Sequence, residues 1–143
     1  MWIFEKSGTA YVVRQLINES ASLGGIRLSE DKKEIFVGSN NSKFLIYRDN
    51  GLSFTLNQAI NIGFQVFFIS HVPNKLEING FSSDILFLEF DGTEYKVTQT
   101  ITTLSSFFGE IIRTEDFSRF LFGGSNLKIQ IYEDQNGTYR LTE

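Results

Sequence analysis

The chain of 143 residues has no cysteine and only one histidine, one proline and one tryptophan. Without cysteine there is no disulfide framework and no thiolate to act as nucleophile or ligand, and His71 alone cannot form the histidine cluster of a zinc site. Such a composition suits a reducing interior, and a cytoplasmic location is expected. Positive charge is also short: 13 Lys and Arg face 17 Asp and Glu, for a formal net charge of −4 and a pI near 5.0. Neither nucleic acid nor an anionic membrane is therefore an expected partner, because both are bound through concentrated Lys and Arg. Long apolar runs are missing as well. The opening "MWIFEKSGTAYVV" carries Glu5 and Lys6 where a secretory signal needs an unbroken apolar core, and no later run reaches the length of a membrane span, so a soluble protein is expected. "NES" at Asn18, "NNS" at Asn40 and "NGT" at Asn136 match the glycosylation pattern, but in an Asn-rich cytosolic chain they read as chance.

What the chain does have is apolar and aromatic material, 41% and 15% of residues with fifteen Phe, enough for the core of one domain. It is arranged as a repeat. "WIFEKSGTAYVVRQLI", "FLIYRDNGLSFTLNQAI", "ILFLEFDGTEYKVTQTI" and "KIQIYEDQNGTYRLTE" share one outline. Aromatic residues stand at Phe4, Tyr47, Phe90 and Tyr132, spaced by 43, 43 and 42 residues, and again at Tyr11, Phe54, Tyr95 and Tyr139, spaced by 43, 41 and 44. Between the two sets lie Gly8, Gly51, Gly92 and Gly137, where a tight turn needs the positive φ that glycine adopts without steric cost. Each segment is thus a predicted β-hairpin, and the even spacing of Tyr11, Phe54, Tyr95 and Tyr139 predicts equivalent, largely buried places for them between neighbouring units.

Beyond the second aromatic, Val13, Leu56, Val97 and Leu141 follow two residues on, and Ile17, Ile60 and Ile101 six residues on, which predicts a strand with one apolar face. Gln15, Gln58, Gln99 and Glu143 share that face and read as a solvated strand end rather than a shared binding feature. Upstream of each complete hairpin come two more short runs, "GIRLSEDKKEIFVGS", "VFFISHVPNKLEINGF" and "EIIRTEDFSRFLFGGS", ending in Gly38, Gly80 and Gly123. In the third, Phe108, Ile111, Ile112, Phe120 and Leu121 fall near helical spacing. The repeat context favours strands there. The result is an opening two-stranded half unit at 2–17, then four-stranded units at 24–60, 66–101 and 110–143.

Units of 40 to 45 residues with four strands each are the pattern of propeller blades, since one small sheet cannot bury both of its faces without neighbours. The expected fold is all-β, about three and a half blades. Within that class "IFVGSNNSKFLIYRDNG", "INGFSSDILFLEFDG" and "LFGGSNLKIQIYEDQNG" resemble WD-repeat (WD40-like) blades. Tyr47, Phe90 and Tyr132 stand where that family has Trp, and Arg48, Asp91 and Glu133 where it has Asp. No "WD" and no "GH" dipeptide occurs, and a kelch blade is the nearest rival, matched only by "GGS" at Gly123. Natural propellers commonly let the two chain ends share one blade, so an opening hairpin without a closing strand pair predicts a section of a larger propeller or one completed by another chain, with apolar blade faces exposed.

Little in the sequence points to catalysis. His71 reads as a solvent-facing residue of the turn "SHVPN". The acid pairs Glu30–Asp31, Glu115–Asp116 and Glu133–Asp134 fall in predicted turns, where neighbouring carboxylates diverge instead of facing one bond. "RDNG" and "EDQNG" are too short for a calcium loop. Gly24–Gly25 and Gly123–Gly124 lack the lysine and spacing of a phosphate loop and read as turn or bulge positions. No catalytic, cofactor or metal site is expected. Arg27 and Arg113, matched in the innermost strands of two units, could present cations at a channel rim to an acidic partner, or form an intra-blade salt bridge to a neighbouring turn acid. The resemblance implies a non-enzymatic scaffold for protein partners. A propeller enzyme or ligand-binding module with its site at the channel, and a purely structural segment of a larger complex, are the alternatives.

Overall fold

The structure is a computed structural model and describes residues 1–19, 21–103, 111–114, 118–123 and 129–142. Every regular element in it is a strand. The chain opens with β1 (Trp2–Ser7) and β2 (Ala10–Leu16), which form a two-stranded antiparallel sheet. Three four-stranded antiparallel sheets follow: β3 (Leu23–Leu28), β4 (Glu34–Ser39), β5 (Lys43–Asp49) and β6 (Phe54–Asn61); β7 (Val66–Val72), β8 (Lys75–Gly80), β9 (Asp84–Phe90) and β10 (Tyr95–Thr102); and β11 (Ile112–Arg113), β12 (Arg119–Gly123), β13 (Ile129–Asp134) and β14 (Tyr139–Leu141). In each sheet the strands lie side by side in chain order. This is the blade pattern of a β-propeller.

Among the described residues of 104–122 the only regular elements are the strands at Ile112–Arg113 and from Arg119 on, so the helical spacing there does not decide the local structure. The Glu115–Asp116 pair, Phe108, Gly124 and Glu143 lie outside the described residues.

The hairpin turns follow from their residues. Gly8, Gly51, Gly92 and Gly137 all have positive φ. Acidic or amide side chains close the same turns: Asp91 Oδ1 accepts from the amides of Thr93 and Glu94 at 2.9 and 3.0 Å, and Asn50 Oδ1 from those of Leu52 and Ser53 at 3.0 and 2.9 Å.

The core lies between sheets, not within one. Ile35, Val37, Leu45, Tyr47 and Phe54 pack back against Met1, Ile3 and Ile17 of the opening hairpin region. From the opposite face of the same sheet, Phe36, Phe44 and Ile46 pack forward against Leu76, Ile78, Leu88 and Tyr95. Ile85, Phe87 and Ile101 repeat the arrangement against Phe120, Phe122 and Tyr132. Strand alternation thus supplies each sheet with two apolar faces, one for each neighbour. At the inner strands the sheets approach closely. A Cβ on Gly24 would stand 2.0 Å from the Val66 carbonyl oxygen and one on Gly25 2.4 Å from that of Phe67, so only glycine fits there. Gly24 and Gly25 sit where the β3–β4 register shifts, at a bulge.

The outer strands β2, β6 and β10 do not have the single apolar face that their spacing predicts. In β10, Tyr95 packs toward the preceding sheet while Ile101, six residues on, packs toward the following one. The cause is a bulge. The β9–β10 register passes over Thr98, the β5–β6 register over Asn57 and the β1–β2 register over Arg14. One extra residue reverses the alternation, and everything after it faces the other way.

Candidate interaction surface

The residue that follows each bulge is Gln15, Gln58 or Gln99, and the reversal aims it at the next sheet. Gln15 Nε2 donates to the Phe54 carbonyl at 2.8 Å while Gln15 Oε1 accepts the Phe54 amide at 2.8 Å. Gln58 does the same with Tyr95, at 2.7 and 2.9 Å, and Gln99 with Tyr139, at 3.0 and 3.1 Å. A carboxamide has one donor group and one acceptor side by side, as a peptide does, so it satisfies both main-chain groups that an edge strand turns outward. These glutamines are clamps between blades, not a solvated strand end.

Ion pairs reinforce the same seams. Arg14 Nη2 lies 3.0 Å from Asp49 Oδ1, and its guanidinium sits 5.4 Å from the centre of the Phe54 ring. The Tyr47 hydroxyl donates to Glu19 Oε1. Glu34 takes Arg48 Nη2 at 2.6 Å on its own sheet and the Tyr95 hydroxyl, at 3.2 Å, from the next. Burial and the Glu34 carboxylate hold that hydroxyl well above the usual tyrosine range.

Of the two arginines matched in the inner strands, Arg113 on β11 is almost buried and grips Glu77 on β8 of the preceding sheet, with Nε 2.8 Å from Glu77 Oε2 and a second contact from Nη2 to Oε1. Burial raises the Glu77 carboxyl above the usual carboxylate range, and the Arg113 hydrogen bond and charge offset part of that rise. Arg27 on β3 is exposed and lines, with Phe68, Ser70, Glu77 and Ile111, a cavity of about 340 Å³. A second cavity, about 320 Å³, lies beside the Gln99 clamp, where Lys75, Glu89, Arg113 and Tyr139 reach it.

His71 is not a solvent-facing turn residue. It belongs to β7, its ring centre is 4.9 Å from that of Phe36, and burial lowers its pKa. The "SHVPN" stretch turns only at Pro73 and Asn74, which leaves His71 on the strand. Among the described residues no group of three or more His, Asp or Glu is placed to hold a metal ion, and no helix is long and apolar enough to cross a membrane.

The repeated aromatic positions are not equivalent in burial. Tyr47 and Phe54 are 3% and 5% exposed, and Leu45 beside them 5%; their counterparts Phe4, Tyr11 and Trp2 are 57%, 72% and 59% exposed. Tyr11 is therefore not largely buried between blades as its spacing predicts. It lies on the face of β1–β2 that turns away from the following sheet, and among the described residues no sheet rests on that face. At the opposite end of the stack Ile129 is 71% exposed where Phe44 and Phe87 are 0% and 8%.

No family model matches the chain, and no curated protein matches its sequence. Its fold does have known counterparts. A chain in the crystal structure of a mitotic checkpoint complex superimposes with a TM-score of 0.76 at 17% identity, over 99% of this chain and 44% of that one. At that identity the likeness shows the fold, a β-propeller, and the chain spans less than half the length of that neighbour.

Proposed function

We propose that this chain is a section of WD-like β-propeller, a half blade at 2–17 followed by blades at 24–60, 66–101 and 110–143, that serves as a cytoplasmic, non-enzymatic scaffold for protein partners. The observation that carries the reading is the aromatic face of β1–β2. Trp2, Phe4 and Tyr11 stand exposed together on a sheet held rigidly by a clamp and an ion pair to its neighbour. A contiguous exposed apolar patch with polar surroundings is the mark of a protein contact, and Tyr and Trp are the residues that most often anchor one. The fold neighbour comes from a multi-protein complex, which agrees with this use.

Arg27 offers a secondary contact at the channel rim for an acidic partner, whereas Arg113 is engaged with Glu77. Affinity purification of the intact chain with mass spectrometry tests the proposal. Proteins that co-purify with the wild type are expected to be lost from a Phe4→Ser, Tyr11→Ser variant. An unchanged set of partners would overturn the assignment of this face.

A further inference from the structure

The chain contains three worked examples of what covers a face like that of β1–β2, and they specify the partner. At each internal junction the covering sheet contributes apolar side chains and one glutamine: Ile3 and Ile17 with Gln15, Phe44 and Ile46 with Gln58, Phe87 and Ile101 with Gln99. Each covered sheet offers the same set in return, an aromatic on its outer strand, an aromatic on the strand beside it, and the outward amide and carbonyl of the first. Tyr11, Phe4 and the Tyr11 peptide are that set on β2 and β1. Tyr11 pairs with Lys6 in the register in which Phe54 pairs with Asp49 and Tyr95 with Phe90, so its main-chain groups point outward in the same way.

We infer that the face of Trp2, Phe4 and Tyr11 docks a β-blade of a partner polypeptide whose outer strand presents a glutamine to the Tyr11 amide and carbonyl. The inference rests on the scaffold reading and adds the partner's chemistry. The carboxamide is required because the site has one donor and one acceptor. A carboxylate takes the amide but meets the carbonyl oxygen with like charge and nothing to donate. That distinction argues against an unmodified second copy of this chain as the occupant, for Glu143 holds the place, four residues after Tyr139, that the glutamines hold after Tyr11, Phe54 and Tyr95.

The same distinction provides the test, because one substitution turns a second copy into the inferred partner. The variant is Glu143→Gln with an added Thr-Ile, copying Gln99-Thr100-Ile101. Its control keeps Glu143 and carries the same extension. At pH 7 the glutamine form is expected to associate head to tail in sedimentation velocity, at least about tenfold more tightly than the control, the ratio that corresponds to a loss of about 1.4 kcal/mol. Emission from Trp2, the chain's one tryptophan, should shift to the blue as that face is covered. Phe4→Asp with Tyr11→Asp, both at exposed positions, should abolish the association without changing the melting temperature. Failure of the glutamine form to associate, or association that survives the Phe4 and Tyr11 changes, would overturn the docking site. Equal association of the glutamate control would overturn the carboxamide requirement and leave a second copy as the occupant. None of these outcomes depends on which proteins co-purify with the wild type, so this inference and the scaffold reading can fail separately.

Discussion

Gln58 on one blade closes both main-chain hydrogen bonds of Tyr95 on the next, donating to its carbonyl at 2.7 Å and accepting its amide at 2.9 Å. The contact spans 37 residues of sequence and ties two sheets that share no strand. Replacing Gln58 with Leu leaves the Tyr95 amide and carbonyl without this partner, at a cost of about 1–3 kcal/mol. Replacing it with Glu keeps the acceptor and puts a charge against the carbonyl, so the loss should be similar and should shrink as the carboxylate is protonated. Urea denaturation midpoints at pH 7 and pH 4 check both. Equal stability of Gln58→Leu and wild type would show that the clamp contributes nothing.

Equivalent repeat positions should respond very differently to truncation. Phe54→Ala opens a cavity in a packed junction and is expected to cost about 3–5 kcal/mol. Tyr11→Ala removes an exposed ring at the corresponding position and should fall within about 0.5 kcal/mol of wild type. Thermal melts of the two variants test the assignment, and similar losses would contradict it.

Arg113 matters through the carboxylate that it compensates. With Arg113→Met, Glu77 stays buried beside no guanidinium, and the expected cost at pH 7 is about 3–5 kcal/mol. The pH dependence has a defined sign. The Glu77 pKa is higher in the folded chain than its ordinary 4.5, so its contribution is fully present below 4.5 and is lost as pH rises through the folded value. Without Arg113 the folded pKa rises further. The penalty of Arg113→Met should therefore be smaller at pH 4 than at pH 7, and a second change, Glu77→Leu, should recover much of it. Denaturant titrations at the two pH values measure this, and a penalty independent of pH would refute it.

His71 gives the opposite sign. Burial depresses its pKa below 6.5, so its contribution is present above 6.5 and is lost as pH falls through the folded value. As the only histidine, it gives a single ring signal in proton NMR, whose titration midpoint is expected below 6.5. His71→Gln should remove the corresponding part of the stability loss in mildly acidic solution. A midpoint at or above 6.5 would show the ring to be solvated.

The strand pattern was legible because it is local. Alternating apolar residues, Asp91 and Asn50 at turn starts, and glycines at positive φ act over a few residues and repeat with the unit, so fourteen strands could be counted in their order and fourteen are present among the described residues. His71 was misplaced because a polar residue two positions before Pro73 looks like part of a turn until its pairing with Leu76 across β7–β8 is seen. Nothing local marks Glu77 as the acid for Arg113, which lies 36 residues away in the next blade.

The amino-acid sequence by itself determined the elements, because backbone conformation in a hairpin is set by neighbours: the alternation, the turn residues and the glycines between Phe4 and Tyr11, Tyr47 and Phe54, Phe90 and Tyr95, and Tyr132 and Tyr139. Tertiary structure decided what each repeated position does. A bulge before Gln15, Gln58 and Gln99 reverses the alternation, so residues that look coplanar in the sequence face opposite neighbours. Tyr11 and Phe54, alike in register, differ in burial because a sheet lies over only one of them. Burial is a property of what packs against a face, and no local pattern encodes the neighbour.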